Sequence, residues 1–296
     1  MWQEKHPIEA LQWPQHVRLP IIISVHHQAE EGPFAFPDGQ PDPFDFSERQ
    51  YGGRRGAWRI LETLEKHDVK GTWLICGATL EKYPEISRAV KKAGHSIAGH
   101  AYHHEFMCNL LPHEELAVMR KTVTVFEDRL GEHLRGWRTC FASHSTIDLL
   151  LEHFAFEWDG SRSNDDLPYI LEGHGRELLE IPFFAPGDPA YASQITQPFS
   201  PPSAYSTWAS APPEFTLRAY KAVFDALYER SKEKTCTFPL TVHDFITGRP
   251  SRAKTLDAFI AYAKQFKGVV FTTHDELAGW WRANYKQEPA RKASLG

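Results

Sequence analysis

Short continuous apolar runs alternate with longer amphipathic stretches along most of this chain. Residues 19–25, 71–75, 95–99, 134–138, 154–158, 178–184, 237–242 and 268–272 read as strands covered on both faces. The stretches between them carry helical spacing. Residues 55–66 place Trp58, Leu61 and Leu64 on one side, and residues 84–93 open on Pro84 and stop at Gly94. Residues 112–130, 145–152, 216–230 and 251–266 continue the alternation. Strand–helix alternation of this kind predicts a parallel α/β sheet, open or closed into a barrel. Right-handed crossovers then bring the C-terminal ends of the strands to one rim.

Two segments break the rhythm. Residues 30–53 are rich in Pro, Gly, Phe and acidic side chains, and residues 185–213 in Pro, Ser, Ala and Tyr. Long loops in a compact domain are commonly lids, so both are expected to border a pocket, the first reaching it from a neighbouring subunit in a homo-oligomer. The alternative is a packed surface loop. The strands and helices delimit one domain over residues 19–284, with an N-terminal extension at 1–18 and a tail at 285–296.

Composition narrows the function. The chain has 296 residues, 42% hydrophobic, enough for one sizeable core. With 33 Lys+Arg against 38 Asp+Glu there is no basic surplus to neutralise a phosphate backbone, which argues against nucleic acid. The polar start lacks the apolar segment of a secretory leader, and no run approaches a membrane span, so a cytoplasmic location without membrane association is expected. Cys76, Cys108, Cys140 and Cys236 form no C-x-x-C pair and are expected to be reduced thiols in or near the core.

The candidate chemistry gathers at the predicted rim. His100 and His104 form H-x-x-x-H directly after a strand, and a helical turn there would set both imidazoles on one face. Imidazole suits zinc, cobalt or nickel. The first strand ends in His26, His27, Gln28, Ala29, Glu30 and Glu31; others end in Arg138, in Asp159 and in His243–Asp244. A hydrolase needs such a set of ligands, acid, base and charge stabilisers. Any one of these residues alone is more simply a turn residue, a capping histidine or a structural ion pair; their shared rim is what favours chemistry.

These residues resemble a known family. Gly94 to His104 is similar to the H-x-x-x-H metal motif of polysaccharide deacetylases, the carbohydrate esterases that share the NodB homology domain. Thr72–Trp73 followed by Leu80 to Pro84 is similar to their lead-in, Phe156–Glu157–Trp158–Asp159–Gly160–Ser161 to their Y-D-S motif, and Val242–His243 to their late strand motif. The runs 248–252 and 268–273, with Glu276, Leu277, Ala278, Trp280 and Trp281, resemble the branch holding peptidoglycan-deacetylase-like proteins, allantoinases and cyclic imide hydrolases. The resemblance spans about residues 19–282.

It implies a distorted (β/α)₇ barrel, TIM-barrel-like, and attack of metal-held water on an amide carbonyl. It also implies a divalent metal as cofactor, zinc first, with cobalt, manganese or nickel as alternatives. His100 and His104 are the implied ligands and His243 the implied general acid. From their places on the rim, His26 and Asp159 are expected to be catalytic with His243, and Arg138 and Trp137 to bind substrate. One departure matters: His26 stands where the family has its acidic base, and Gln28 where it has its acidic ligand. Three readings follow. Metal is held by His100 and His104 with a substitute among His26, Gln28 and Glu30; or the site works without metal, as in some allantoinase-like relatives; or the barrel only binds ligand. The substrate expected is a small cyclic amide, imide or N-acyl compound, with a polysaccharide or peptidoglycan N-deacetylase as the alternative enzyme.

Overall fold

A computed structural model of the protein describes residues 2–6, 12–32, 40–131, 133–139, 141–183 and 212–284. After a short strand β1 (Gln3–Lys5) the chain enters β2 (Leu19–His27), which is buried along its whole length. The strands β3 (Thr72–Ile75), β4 (Ser96–Gly99), β5 (Gly136–Trp137) and β6 (Trp158–Asp159) follow outward from β2, all parallel. Strands β9 (Phe238–His243) and β10 (Val269–Thr272) also pair with β2 in parallel. β9 lies beside Ile21–His26, β10 beside Leu19–Ile22 and β3 beside Ser24–His27, so β10 sits below β3 on one edge of β2 and β9 takes the other.

The helices lie between these strands: α1 (Pro43–Tyr51), α2 (Ala57–Lys66), α3 (Gly77–Lys82), α4 (Pro84–Lys92), α5 (Pro112–Leu130), α6 (Thr146–His153), α7 (Pro213–Arg230), α8 (Asp244–Thr247), α9 (Pro250–Ala263) and α10 (His274–Asn284). Their ends follow local chemistry. In α5, Glu114 accepts from the Leu111 N–H at 2.8 Å, Pro112 stands at the first turn, and Gly131 closes the helix with φ 60°.

Two departures from the sequence expectation concern the far side of the sheet. Residues 154–158 do not form a strand throughout: Phe154 caps α6, and only Trp158–Asp159 pair. The expected strand at 178–184 begins earlier, as β8 (Arg176–Glu180), and forms an antiparallel hairpin with β7 (Tyr169–Gly173). His174 and Gly175 at its turn have φ 52° and 71°, the handedness of a tight type I′ turn. β1 adds antiparallel to β7, so the N-terminal extension supplies a strand to the sheet. Among the described residues the sheet is not closed by hydrogen bonds.

Alternation along the strands divides the interior in two. Leu19, Ile21, Ile23 and Val25 of β2 face the helices, in a large core with Trp73, Trp137, Phe224, Phe238 and Phe259. Ile22 faces the other way, into a smaller cluster with Leu74, Ala98, Trp158, Leu179 and Trp281, which fills the inside of the curved sheet. His274 plugs that inner cluster: its backbone N and ring Nδ1 reach Thr72 Oγ1 at 2.9 and 3.0 Å, and its ring stacks on Trp158 at 4.4 Å.

Burial lowers the His274 pKa to about 3, with the Arg138 charge as a second cause. The unfolded chain therefore takes up a proton there first as pH falls. Stability is complete above about pH 6.5 and is lost as pH drops toward 3, by up to ~1.4 kcal/mol per pH unit. Urea unfolding at pH 7, 6, 5 and 4 should show a flatter pH dependence in His274→Phe than in the native chain; equal slopes would discount this residue.

Candidate functional site

The inner face of β2 continues past Ile22 and Ser24 to His26 and Gln28, so the same alternation that builds the core delivers polar groups to the rim. On the neighbouring strands His100 follows β4, Arg138 follows β5, and His243 ends β9 as the register partner of His26. His26 and His243 lie with ring centroids 4.6 Å apart, and His26 meets His100 edge-on at 4.7 Å. These side chains are brought together at one end of the sheet.

Gln28 stands among the imidazoles. Its Nε2 is 2.9 Å from His104 Nε2, 3.2 Å from His100 Nε2 and 3.4 Å from His26 Nδ1, and His26 Nδ1 is 3.2 Å from His100 Nε2. His100 donates from Nδ1 to the Arg138 carbonyl at 2.7 Å, which fixes a lone pair on Nε2 facing Gln28. Burial holds His26 and His104 well below the usual imidazole range and lowers His100 to about 3; the Arg138 charge acts on each in the same direction. The cluster is thus a set of neutral nitrogen donors.

His100 and His104 converge, but through an irregular turn rather than the expected helix. Ala101 and His104 adopt φ 62° and 58°, and Glu105 secures the turn by accepting from Tyr102 N at 3.0 Å and His103 N at 2.8 Å. His104 is roofed by the first of the two proline-rich segments. Gly32 has φ 67°, and a Cβ there would lie 2.6 Å from His104 Nδ1. The Gly32→Ala change should push the His104 ring off its position, and a displacement of ~1 Å at such a site costs roughly 10²-fold in kcat/KM. Native kcat/KM in that variant would rule out the contact as a determinant. The second segment expected to form a lid lies outside the described residues from 184 to 211.

Several expected site residues lie elsewhere. Glu30 turns away from the imidazoles to an ion pair with Lys82 and accepts from Tyr83 Oη at 3.0 Å, so it is not in the donor set. Trp137 is fully buried on the helix side, stacked on Phe156 at 5.7 Å with Nε1 donating to Thr139, and packs the core rather than a substrate. Asp159 points to the face opposite Trp158. It accepts from Ser161 Oγ at 2.7 Å and stands beside its register partner Glu180. Burial, and then repulsion from Asp159, hold the Glu180 carboxyl well above the usual carboxylate range, so the pair retains a proton as a structural unit. The Asp159 carboxylate is engaged by Ser161, and that of Asp244 by His27, Ala29 N and Phe245 N. Cys108 is exposed, unlike the buried Cys76 and Cys236.

Asp244 has a different role, which the sequence pattern did not reveal. His27 alternates to the helix side and its Nδ1 meets Asp244 Oδ2 at 2.7 Å, both fully buried. The same carboxylate accepts from Ala29 N at 2.9 Å and from Phe245 N at 2.7 Å. Gln28 is therefore bracketed by two residues bound to one carboxylate, and β2 is tied to the residue after His243. Arg138 is 4% exposed with its guanidinium 3.5 Å from the centre of the Phe183 ring.

Among the described residues, no three His, Cys, Asp or Glu side chains stand ready at coordinating geometry. The donor chemistry nonetheless fits a borderline dication. Ligands placed tetrahedrally at 2.0–2.1 Å are about 3.3 Å from one another. The four separations among Gln28, His26, His100 and His104 given above run from 2.9 to 3.4 Å. Gln28 would have to present its oxygen to complete such a set.

An alternating parallel sheet with this rim defines an α/β fold of the NodB type. The polysaccharide deacetylase family model matches residues 44–150 of the chain. It is 23% identical over 266 residues to the peptidoglycan deacetylase of Helicobacter pylori, covering 81% of this chain and 88% of the relative. It is 26% identical over 290 residues to the peptidoglycan deacetylase-like protein FGM2 of Gibberella zeae, covering 88% and 86%. Among solved structures, a probable polysaccharide deacetylase from Pseudomonas aeruginosa superposes with TM-score 0.80 at 22% identity, over 93% of this chain and 95% of the other. The Puue allantoinase superposes with TM-score 0.80 at 24% identity, over 92% and 93%. The expected barrel-type fold and the resemblance to polysaccharide deacetylases are both borne out. No helix among the described residues is long and apolar enough to cross a membrane.

Proposed function

We propose that the protein hydrolyses an amide-type C–N bond in a small cyclic amide, imide or related N-acyl compound. The resemblance to deacetylases implies a hydrolase acting on C–N bonds; the burial of the clustered polar groups supports the small substrate. Each polar group of the cluster, His26, Gln28, His100, His104, Arg138 and His243, is at most 8% exposed. An extended glycan needs an open groove, whereas a compact ring can enter an enclosed polar pocket. The names of the curated relatives favour a second reading, N-deacetylation of a peptidoglycan or polysaccharide sugar.

His243 is the acid–base group in this proposal. It takes a proton from the attacking water as the water oxygen adds to the carbonyl carbon, then gives that proton to the departing nitrogen as the C–N bond breaks. The Arg138 guanidinium offsets the negative charge developing on the carbonyl oxygen. His26 turns Nδ1 toward His100 and Gln28, so it serves in the donor set rather than as the base. His26, His100, His104 and Gln28 would hold a dication, which would supply Lewis-acid polarisation of the carbonyl on accepting it as a fifth ligand. A panel of cyclic imides, hydantoins and N-acetylglucosamine oligomers, read by ring-opened acid or free acetate, tests the proposal. Acetate release from the oligomers with no ring opening would favour the second reading.

A further inference from the structure

We infer that the Gln28 carboxamide is a two-position ligand, with its NH₂ turned to the imidazoles in the metal-free protein and its oxygen turned to them when a zinc-like dication binds. The inference concerns the site proposed above but does not depend on its substrate.

The argument begins at His100. Its Nδ1–H is committed to the Arg138 carbonyl at 2.7 Å, so Nε2 can only accept. Two nitrogens face it at 3.2 Å, His26 Nδ1 and Gln28 Nε2, and with no cation between them each must present a proton rather than a lone pair. A carboxamide oxygen in that place would set two acceptors against each other in a buried site. The NH₂ orientation is therefore the one that satisfies the metal-free cluster, with one proton toward His104 Nε2 at 2.9 Å and the other toward His100. With a cation at the centre the preference inverts, because the lone pairs of the imidazoles and of the amide oxygen then all converge on positive charge.

The exchange needs a half-turn about the last side-chain torsion, which is broad and nearly two-fold. The backbone has no cause to move: the Gln28 carbonyl is held by Thr79 Oγ1 at 2.6 Å, and its neighbours His27 and Ala29 are held by Asp244. A carboxylate, by contrast, would repel the metal-free imidazole lone pairs and would bind a dication more tightly. Gln28 thus gives a cluster that is satisfied both empty and loaded, at a cost in affinity.

The test uses the full chain stripped with a chelator, titrated with Zn²⁺ against a chromophoric competitor and with Co²⁺ by visible absorption. The native protein should take up one equivalent. Gln28→Glu should bind at least ~10-fold more tightly and Gln28→Leu at least ~10-fold more weakly, the scale on which ligand-shell changes act. In proton–nitrogen correlation spectra, one glutamine NH₂ pair absent from Gln28→Leu should exchange slowly with solvent and should lose that protection at saturating Zn²⁺. Native affinity in Gln28→Leu, no Zn²⁺ uptake by the native chain, or an NH₂ pair unaffected by Zn²⁺ would each overturn the inference. Should Gln28→Leu fail to fold, the spectra of the native protein with and without Zn²⁺, assigned through Gln28→Glu, decide it. None of these readings uses turnover, so a wrong substrate class leaves them unchanged.

Discussion

Replacement of His243 by alanine is expected to lower kcat by roughly 10²–10⁴-fold on whichever amide or imide substrate is turned over. The nitrogen expelled from a tetrahedral adduct is a poor leaving group unless it is protonated, and His243 is the rim imidazole outside the Gln28-centred donor set. It ends β9, is paired in register with His26 and is only 7% exposed, so bulk water does not readily replace it. KM should change little, because the proton transfer belongs to the transition state rather than to substrate binding. Metal content measured alongside separates two roles: a variant that is slow but keeps its metal identifies an acid–base group, whereas loss of metal identifies a ligand. Normal turnover with normal metal content removes both roles.

The largest effect on stability is expected from Asp244→Ala, about 3–5 kcal/mol lost from the unfolding free energy. That change leaves His27 and the N–H groups of Ala29 and Phe245 buried without their shared acceptor. It also unties β2 from the start of α8, so the rim should loosen together with the fold. Asp244→Asn keeps an oxygen acceptor and should fall between the alanine variant and the native chain. Urea unfolding monitored by tryptophan fluorescence measures both, and a native midpoint in Asp244→Ala would show that the clamp carries no weight.

The parallel half of the fold was legible because its strands are continuous apolar runs. β2, β3, β4, β9 and β10 all fall within or beside the segments expected of them. The hairpin was not legible, since Tyr169–Gly173 and Arg176–Glu180 mix polar and apolar residues, and their partnership rests on a two-residue turn at His174–Gly175. Helix α1 was hidden in a segment read as loop, although Asp42 and Pro43 form an ordinary helix start, Asp42 accepting from Phe44 N at 2.8 Å. At the site, strand parity suffices to bring His26, Gln28, His100, Arg138 and His243 to the inner rim. Parity also explains the failures: Trp137 and Asp159 are one residue away from inward positions and therefore face outward. The His27–Asp244 pair joins residues 217 apart, and no local pattern signals such a contact.

That separation bears on how the protein comes into being. The pairing of Gln3 with Glu172 spans 169 residues, and that of β2 with β9 spans more still. Contacts of such long sequence separation are slow to form, because a large loop must close before any attraction compensates for it. On the ribosome β2 emerges early as a bare apolar ribbon and must wait for β9 before its second edge is covered, a state prone to sticking to other chains. The complete rim, with His243 beside His26, exists only once the pairing of β2 with β9 is made. Recovery of turnover during refolding should therefore lag the recovery of helical signal, and chains released before residue 243 should lack the acid–base corner of the rim.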